Sequence, residues 1–204
     1  MKLYGAPKPA PNPRRVRIFL AEKGIALDET PIDLMTREHK SPEHLARNSL
    51  GQVPTLVLDD GTAISETVAI CRYFEETHPE PPLFGATPTE KAQVDMWIRR
   101  VEFQLMQPVG MFWRHAHPRT AALIRQYKDF GESNRATYAN AQRWLDREMA
   151  DGRPFIAGER LTMADICALS TVDFAHWIGL DLEADAPRLS AWHERMKARP
   201  SAEA

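Results

Sequence analysis

The chain has 204 residues, of which 43% are hydrophobic and 26% are charged. This is the composition of a folded globular protein and excludes a disordered or fibrous one. The formal net charge of -2 favours neither nucleic acid nor an anionic membrane surface, so small molecules are the expected partners.

The compartment is predicted from what the sequence lacks. No apolar run approaches the roughly 20 residues that span a bilayer, and the first residues show no apolar secretory signal. The two cysteines, Cys71 and Cys167, both fall in helical patterns, which makes a disulfide framework unexpected and fits a reducing compartment. We expect a cytoplasmic protein.

A proline-rich segment divides the chain. Residues 79–86 (PEPPLFGA) hold three prolines and a glycine, and such a segment continues neither a helix nor a strand ladder. Strand and helix patterns alternate before it, whereas nearly every periodic segment after it is helical. We expect an α/β domain at residues 1–79, a linker at 80–87 and an all-α domain at 88–204.

The first domain is predicted to open with a strand at residues 2–5 and an amphipathic helix. Residues 28–33 form only a weak strand, because Pro31 interrupts the pattern. A tight hairpin is expected around residues 59–61 (DDG), since an Asp-Gly step supplies positive φ angles. Ser65 follows the hairpin and is expected to N-cap the next helix.

Helix starts are well marked in the second domain. Thr87 and Glu90 have the spacing of a capping box, with a proline at the first helical position. That helix should run on to Pro108, which we expect to kink it. Thr162 and Asp165 repeat the capping spacing at a later helix.

Four clusters of residues, taken in chain order, are the most informative motifs of the sequence. They are residues 11–24 (PNPRRVRIFLAEKG), residues 38–56 with EHKSPE and GQVPTL, residues 65–70 (SETVAI) and residues 155–166 (FIAGERLTMADI). In content and spacing these clusters resemble those of the cytosolic glutathione transferases. The resemblance covers almost the whole chain. It implies a thioredoxin-like first domain that binds glutathione as co-substrate, a helical second domain that receives a hydrophobic electrophile, and a homodimer.

The resemblance also implies which residues hold glutathione. They are His39, Lys40, Gln52, Val53, Pro54, Glu66 and Thr67. The His-Lys pair suits the glycine carboxylate, a cis Val53-Pro54 bond leaves the valine backbone free to pair with the cysteinyl part, and the Glu-Thr pair at a helix start suits the γ-glutamyl ammonium and carboxylate. Taken singly, these motifs also fit a solvated loop, an ordinary turn proline and a helix cap without ligand.

The sequence departs from the family where the thiol is activated. Most members place a Tyr, Ser or Cys beside the glutathione sulfur, but here that position falls on Ala10, and Tyr4 matches the tyrosine position poorly. No cysteine lies nearby, which argues against thiol exchange. The chain most resembles an atypical fungal and bacterial branch, in which the first helix's N-terminus and polar groups of the helical domain stabilise the thiolate.

The residues assigned to catalysis on this basis are Asn12, His115 and His117. The two histidines also fit a fraying helix end at the surface. A metal site is not expected, because two imidazoles without a cysteine or carboxylate cluster are insufficient ligands.

The electrophile is expected against Met106, Met111, Phe112 and Trp113. A soft apolar wall suits hydrophobic molecules of varied shape, although core packing explains the same residues. Conjugation of glutathione to such an electrophile is the leading function. The alternatives are a binding protein without turnover, favoured by Ala10, and a glutathione-dependent peroxidase or isomerase.

Overall fold

The computed structural model describes all 204 residues, and the chain divides into two compact units. The first unit holds residues 1–83 together with 200–204, and the second holds residues 84–199. The division after Leu83 falls within the proline-rich segment. No helix is long and apolar enough to cross a membrane.

The last five residues differ from expectation, since they belong to the first unit rather than to the helical one. A short 3-10 turn, Pro200–Glu203, packs on the first helix. The buried Arg14 guanidinium donates to the Ala202 carbonyl at 2.8 Å, and the Ser201 hydroxyl donates to the Glu22 carboxylate. These long-range contacts have no local signature in the sequence.

The first unit contains four strands and three helices. They are β1 (Lys2–Gly5), α1 (Pro11–Lys23), β2 (Glu29–Pro31), α2 (Pro42–Arg47), β3 (Thr55–Val57), β4 (Ala63–Ser65) and α3 (Thr67–Thr77). The sheet order is β2-β1-β3-β4, with β1 parallel to β2 and the other pairs antiparallel. The predicted α/β fold with its hairpin is confirmed. Strand β2 lies at the sheet edge, which is where a proline, lacking an N–H donor, is tolerated.

The start of α3 corrects one prediction. Ser65 is not the N-cap, because its backbone pairs with Thr55 in the β3–β4 ladder. Glu66 takes the cap position instead, with φ 70° and ψ 121°. The helix therefore begins one residue later than a hydroxyl cap predicts.

The second unit is helical. Its elements are α4 (Pro88–Arg100), a π-helical stretch (Val101–Met106), α5 (Gln107–His115), α6 (Lys128–Glu148), α7 (Met163–Trp177) and α8 (Pro187–Lys197). Pro108 lies in the first turn of α5, directly after the π-helical stretch. The proline is accommodated by a wider turn before it, which relieves the clash of its ring with the preceding carbonyl.

Both predicted capping boxes are present, but they differ in burial. At α4 the Thr87 hydroxyl accepts from the Glu90 N–H at 3.2 Å, and the Glu90 carboxylate accepts from the Thr87 N–H at 3.2 Å. At α7 the Asp165 carboxylate is fully buried. It accepts from Thr162 N–H at 2.9 Å, Thr162 hydroxyl at 3.1 Å, Ile156 N–H at 2.8 Å and Trp192 Nε1–H at 2.9 Å. Burial is the largest effect and raises the pKa of Asp165, while these four donors oppose that rise.

Replacing Asp165 with alanine should therefore destabilise the protein far more than loss of an ordinary cap. The substitution leaves buried N–H groups without acceptors, and we expect a loss of about 3 kcal/mol or more. The measurement is chemical denaturation, with Glu90→Ala in the exposed capping box as the matched control. Equal losses in the two variants would contradict the role assigned to Asp165.

Candidate functional site

The start of α3 has a strained backbone and a carboxylate without a partner in the chain, both at Glu66. Glu66 has a positive φ of 70° with ψ 121°, a conformation that non-glycine residues rarely adopt and that concentrates at functional sites. Its side chain is exposed and makes no hydrogen bond or ion pair within the protein. Thr67 is buried at the first helical position, and no side chain caps the helix. The first N–H groups of α3 are therefore free to bind an anion.

The turn before β3 lies at the same end of the hairpin. Because Thr55 pairs with Ser65, the segment that ends at Pro54 and the one that begins at Glu66 are neighbours across the ladder. The Val53–Pro54 peptide bond is cis. Val53 forms no backbone hydrogen bond with another residue.

Two buried side chains hold this turn from inside. His44 donates from Nε2 to the Gln52 carbonyl at 2.8 Å, and Asn48 donates from Nδ2 to the same oxygen at 3.0 Å. Asn48 also donates to the Thr55 hydroxyl at 3.3 Å. Sequence reasoning missed the supporting role of His44, since a lone histidine on a six-residue helix gives no signal of it.

The His39-Lys40 pair contacts the same loop. Lys40 Nζ donates to the carbonyls of Leu50 and Gly51, at 2.9 Å each. Gly51 has φ 56°, and a Cβ there would lie 2.8 Å from the His39 carbonyl oxygen, so only glycine fits this approach. Burial, followed by the nearby Lys40 charge, lowers the pKa of His39, whose Nδ1 has no partner. All predicted glutathione-binding residues thus surround one end of the β3–β4 hairpin or the loop beside it.

The first turn of α1 offers a single backbone donor. Ala10 is the N-cap residue, and its N–H is already bonded to the Pro7 carbonyl at 3.1 Å. Pro11 and Pro13 have no N–H, which leaves that of Asn12. The Asn12 Oδ1 atom is buried without a partner. A thiolate bound at the start of α1 would therefore have only the Asn12 N–H as a backbone donor.

In the second unit His115 is the last residue of α5, and its ring packs against the start of α6. Its ring centroid is 5.7 Å from that of Tyr127 and 5.5 Å from that of Phe130. Its Nδ1 atom is buried without a hydrogen-bond partner. Gly131 allows this approach, because a Cβ there would lie 2.6 Å from the backbone of His115 and Ala116.

His117, two residues later, has a different environment. Its Nδ1 accepts from the Arg119 N–H at 3.3 Å, and its ring lies 4.7 Å from Trp113 and 6.4 Å from Trp177. Burial, and then the Arg119 charge, lower the pKa of His117. The imidazole is thus part of an aromatic cluster and already has a backbone partner.

The four residues expected around the electrophile do not share one face. Phe112 is buried, with the Arg135 guanidinium 4.7 Å from its ring. Trp113 points instead to α7, where it contacts Phe174 and Trp177 at 5.4 and 5.6 Å. Met106 and Met111 are half-buried. No group of three histidine, cysteine or acidic side chains is placed to hold a metal ion.

Comparison with known proteins gives one consistent result. Residues 10–77 match the family model "Glutathione S-transferase, N-terminal domain", and residues 131–195 match "Glutathione S-transferase, C-terminal domain". Glutathione S-transferase 2 of Saccharomyces cerevisiae is 38% identical over 98% of this chain and 87% of its own length. Human glutathione S-transferase theta-2 is 32% identical over 93% of this chain and 78% of its own length.

Solved structures agree with these sequence matches. The crystal structure of Gtt2 from Saccharomyces cerevisiae superposes with a TM-score of 0.92 at 37% identity, covering 100% of this chain and 99% of that one. The family models match both units, and the relatives extend over nearly the whole chain. The chain belongs to the glutathione S-transferase family.

Proposed function

We propose that this protein binds glutathione in its first unit and transfers the thiolate to the electrophilic carbon of a hydrophobic second substrate. The observation that carries the proposal is Glu66, held in a strained backbone at the uncapped start of α3 with its carboxylate unpaired. The γ-glutamyl group presents a carboxylate and an ammonium together. The helix N–H groups and the Thr67 hydroxyl suit the anion, and Glu66 suits the cation.

We place the other contacts with glutathione at the same end of the hairpin and in the loop beside it. The unpaired backbone of Val53 suits the cysteinyl peptide group, in the way that an added strand extends a sheet. His39, Lys40 and Gln52 suit the glycine carboxylate. Lys40 already holds two backbone carbonyls, so we expect it to shape the loop as well as attract the anion.

Thiol activation is assigned to Asn12 and to a histidine of the second unit. A free thiol has a pKa of about 8.5 and is mostly protonated at neutral pH. With alanine at position 10, the lowered pKa must come from the Asn12 N–H, the dipole of α1 and an added donor. We assign that role to His115, with His117 as the comparison, because the Nδ1 atom of His115 is buried without a partner, whereas the His117 ring packs against Trp113 and Trp177. Met106 and Met111 stay in the proposal as electrophile contacts, whereas Phe112 is buried in the core and the Trp113 ring packs on Phe174 and Trp177.

A binding protein without turnover is the principal alternative, and Ala10 is the observation in its favour. Three measurements on the same preparation separate the possibilities: glutathione affinity, conjugation of an aromatic chloride, and reduction of an organic hydroperoxide. Conjugation supports the proposal. Affinity without conjugation or peroxide reduction supports the alternative.

Removing the Glu66 carboxylate should weaken glutathione binding at least tenfold, or about 1.4 kcal/mol, in calorimetry. Glu66→Ala and Glu66→Gly should lose similar affinity, while the glycine variant should be the more stable of the two, because glycine adopts a positive φ without strain. Glu76→Ala, at an exposed site on the same helix, is the control. An unchanged dissociation constant in Glu66→Ala removes this residue from the site.

His115→Ala should raise the pKa of bound glutathione and lower the conjugation rate roughly ten- to a hundredfold, as expected for loss of one stabilising group. Thiolate absorbance titrated against pH in the saturated enzyme measures the shift. His117→Ala should have the smaller effect, since its ring is packed in the aromatic cluster. If neither variant moves the titration, Asn12 and the helix terminus act alone.

We also propose a cytoplasmic homodimer. Met96 and Phe103 are 40% and 57% exposed on the continuous helical segment formed by α4 and the π-helical stretch. Seven residues apart, they lie on one side of that segment, and we propose that a two-fold related partner covers them. Light scattering should give about twice the chain mass of 23.2 kDa, and Phe103→Glu should shift it toward the monomer. A wild-type mass near that of one chain at micromolar concentration would contradict the dimer.

A further inference from the structure

The segment from Trp113 to Lys128 is cationic in a chain whose net charge is -2. It contains three arginines and one lysine and not a single carboxylate. All four cations, Arg114, Arg119, Arg125 and Lys128, are exposed, and none forms an ion pair. Most other arginines of the second unit are paired, for example Arg143 with Glu183 at 2.6 Å. The segment therefore presents positive charges to solvent that form no ion pair within the chain.

One of these cations lies beside exposed aromatic rings. The Arg125 guanidinium is 5.3 Å from the centroid of Tyr127. Tyr127 and Phe130 are 55% and 51% exposed and both contact His115. We call His115, Tyr127 and Phe130 the aromatic notch. Two half-exposed rings around an imidazole leave apolar surface that a flat ligand could cover.

The chemistry of the notch indicates what it binds. A planar ring can pack on Tyr127 and Phe130, and a carboxylate attached to that ring can accept the two-pronged hydrogen bonds of Arg125. We propose that the aromatic notch and Arg125 select aromatic electrophiles that carry a carboxylate. The inference rests on the proposed function, in which His115 stabilises the thiolate.

The reaction is a substitution at the ring. The thiol proton leaves to solvent when the thiolate forms. The thiolate sulfur then bonds to the ring carbon that carries chlorine, the carbon–chlorine bond breaks, and chloride departs with the electron pair. No oxidant or further reactant is required. The carboxylate takes no part in bond making and acts only in binding.

A second group of aromatic residues supplies a matched control. Arg119 stacks 4.8 Å from Trp177, and it is exposed and unpaired like Arg125. It lies instead with His117, whose Nδ1 is bonded to the backbone. The two arginines carry equal charge in the same segment, so substituting each in turn separates a local contact from a general electrostatic effect.

The test compares a chloronitrobenzoate, with nitro ortho to chlorine, and the corresponding uncharged chloronitrobenzamide. Each kcat/KM is divided by the rate of the same compound with free glutathione thiolate, which removes intrinsic reactivity. We expect a preference of about tenfold for the carboxylate, equivalent to about 1.4 kcal/mol. Arg125→Gln should abolish the preference by lowering the carboxylate rate far more than the amide rate, while Arg119→Gln should retain the preference.

A binding measurement keeps the test independent of turnover. Nitrobenzoate without chlorine cannot react, and calorimetry should show that Arg125→Gln weakens its binding while glutathione affinity is unchanged. Phe130→Ala should weaken nitrobenzoate binding as well. Absence of conjugation with either electrophile counts against the proposed function alone. The inference is overturned if wild type shows no preference for the carboxylate, if Arg125→Gln keeps the preference, or if Arg119→Gln loses it equally.

Discussion

The pairing of Thr55 with Ser65 in the β3–β4 ladder is the constraint on which the candidate glutathione site depends. It brings the end of the Val53-Pro54 turn beside the start of α3, although Glu66 lies 11 positions after Thr55 in the chain. Because Ser65 is held in the strand by this pairing, the chain turns into α3 at Glu66, which has a positive φ. The cost of that conformation is consistent with a residue kept for binding rather than for stability.

A comparable constraint operates in the second unit at Gly131. A side chain there would collide with the backbone of His115 and Ala116, so glycine lets the start of α6 approach the end of α5. The approach places Phe130 against the His115 imidazole. The same unit is anchored by Asp165, whose buried carboxylate joins the start of α7 to Trp192 of α8. The environment of His115 therefore depends on packing between helices rather than on its own neighbours in sequence.

Local chemistry explains what the sequence could predict. The Asp-Gly hairpin and the Thr87 capping box involve residues within a few positions of one another, and both are confirmed. The prediction that Ser65 caps α3 was wrong, because the pairing of Ser65 with Thr55, a longer-range interaction, outweighs the local preference for a hydroxyl cap. Sequence could not separate His115 from His117, since the difference arises from contacts with Phe130 and Trp177. The contact of Tyr127 with His115 was missed for the same reason.

The proposed transferase must activate the glutathione thiol without a hydroxyl or thiol at position 10. The most direct measurement is the pKa of glutathione in saturated wild-type protein, followed by thiolate absorbance as a function of pH. We expect a pKa at least one unit below the roughly 8.5 of a free thiol. Tight binding of glutathione with its ordinary pKa would contradict the claim and indicate a protein that holds glutathione without activating it.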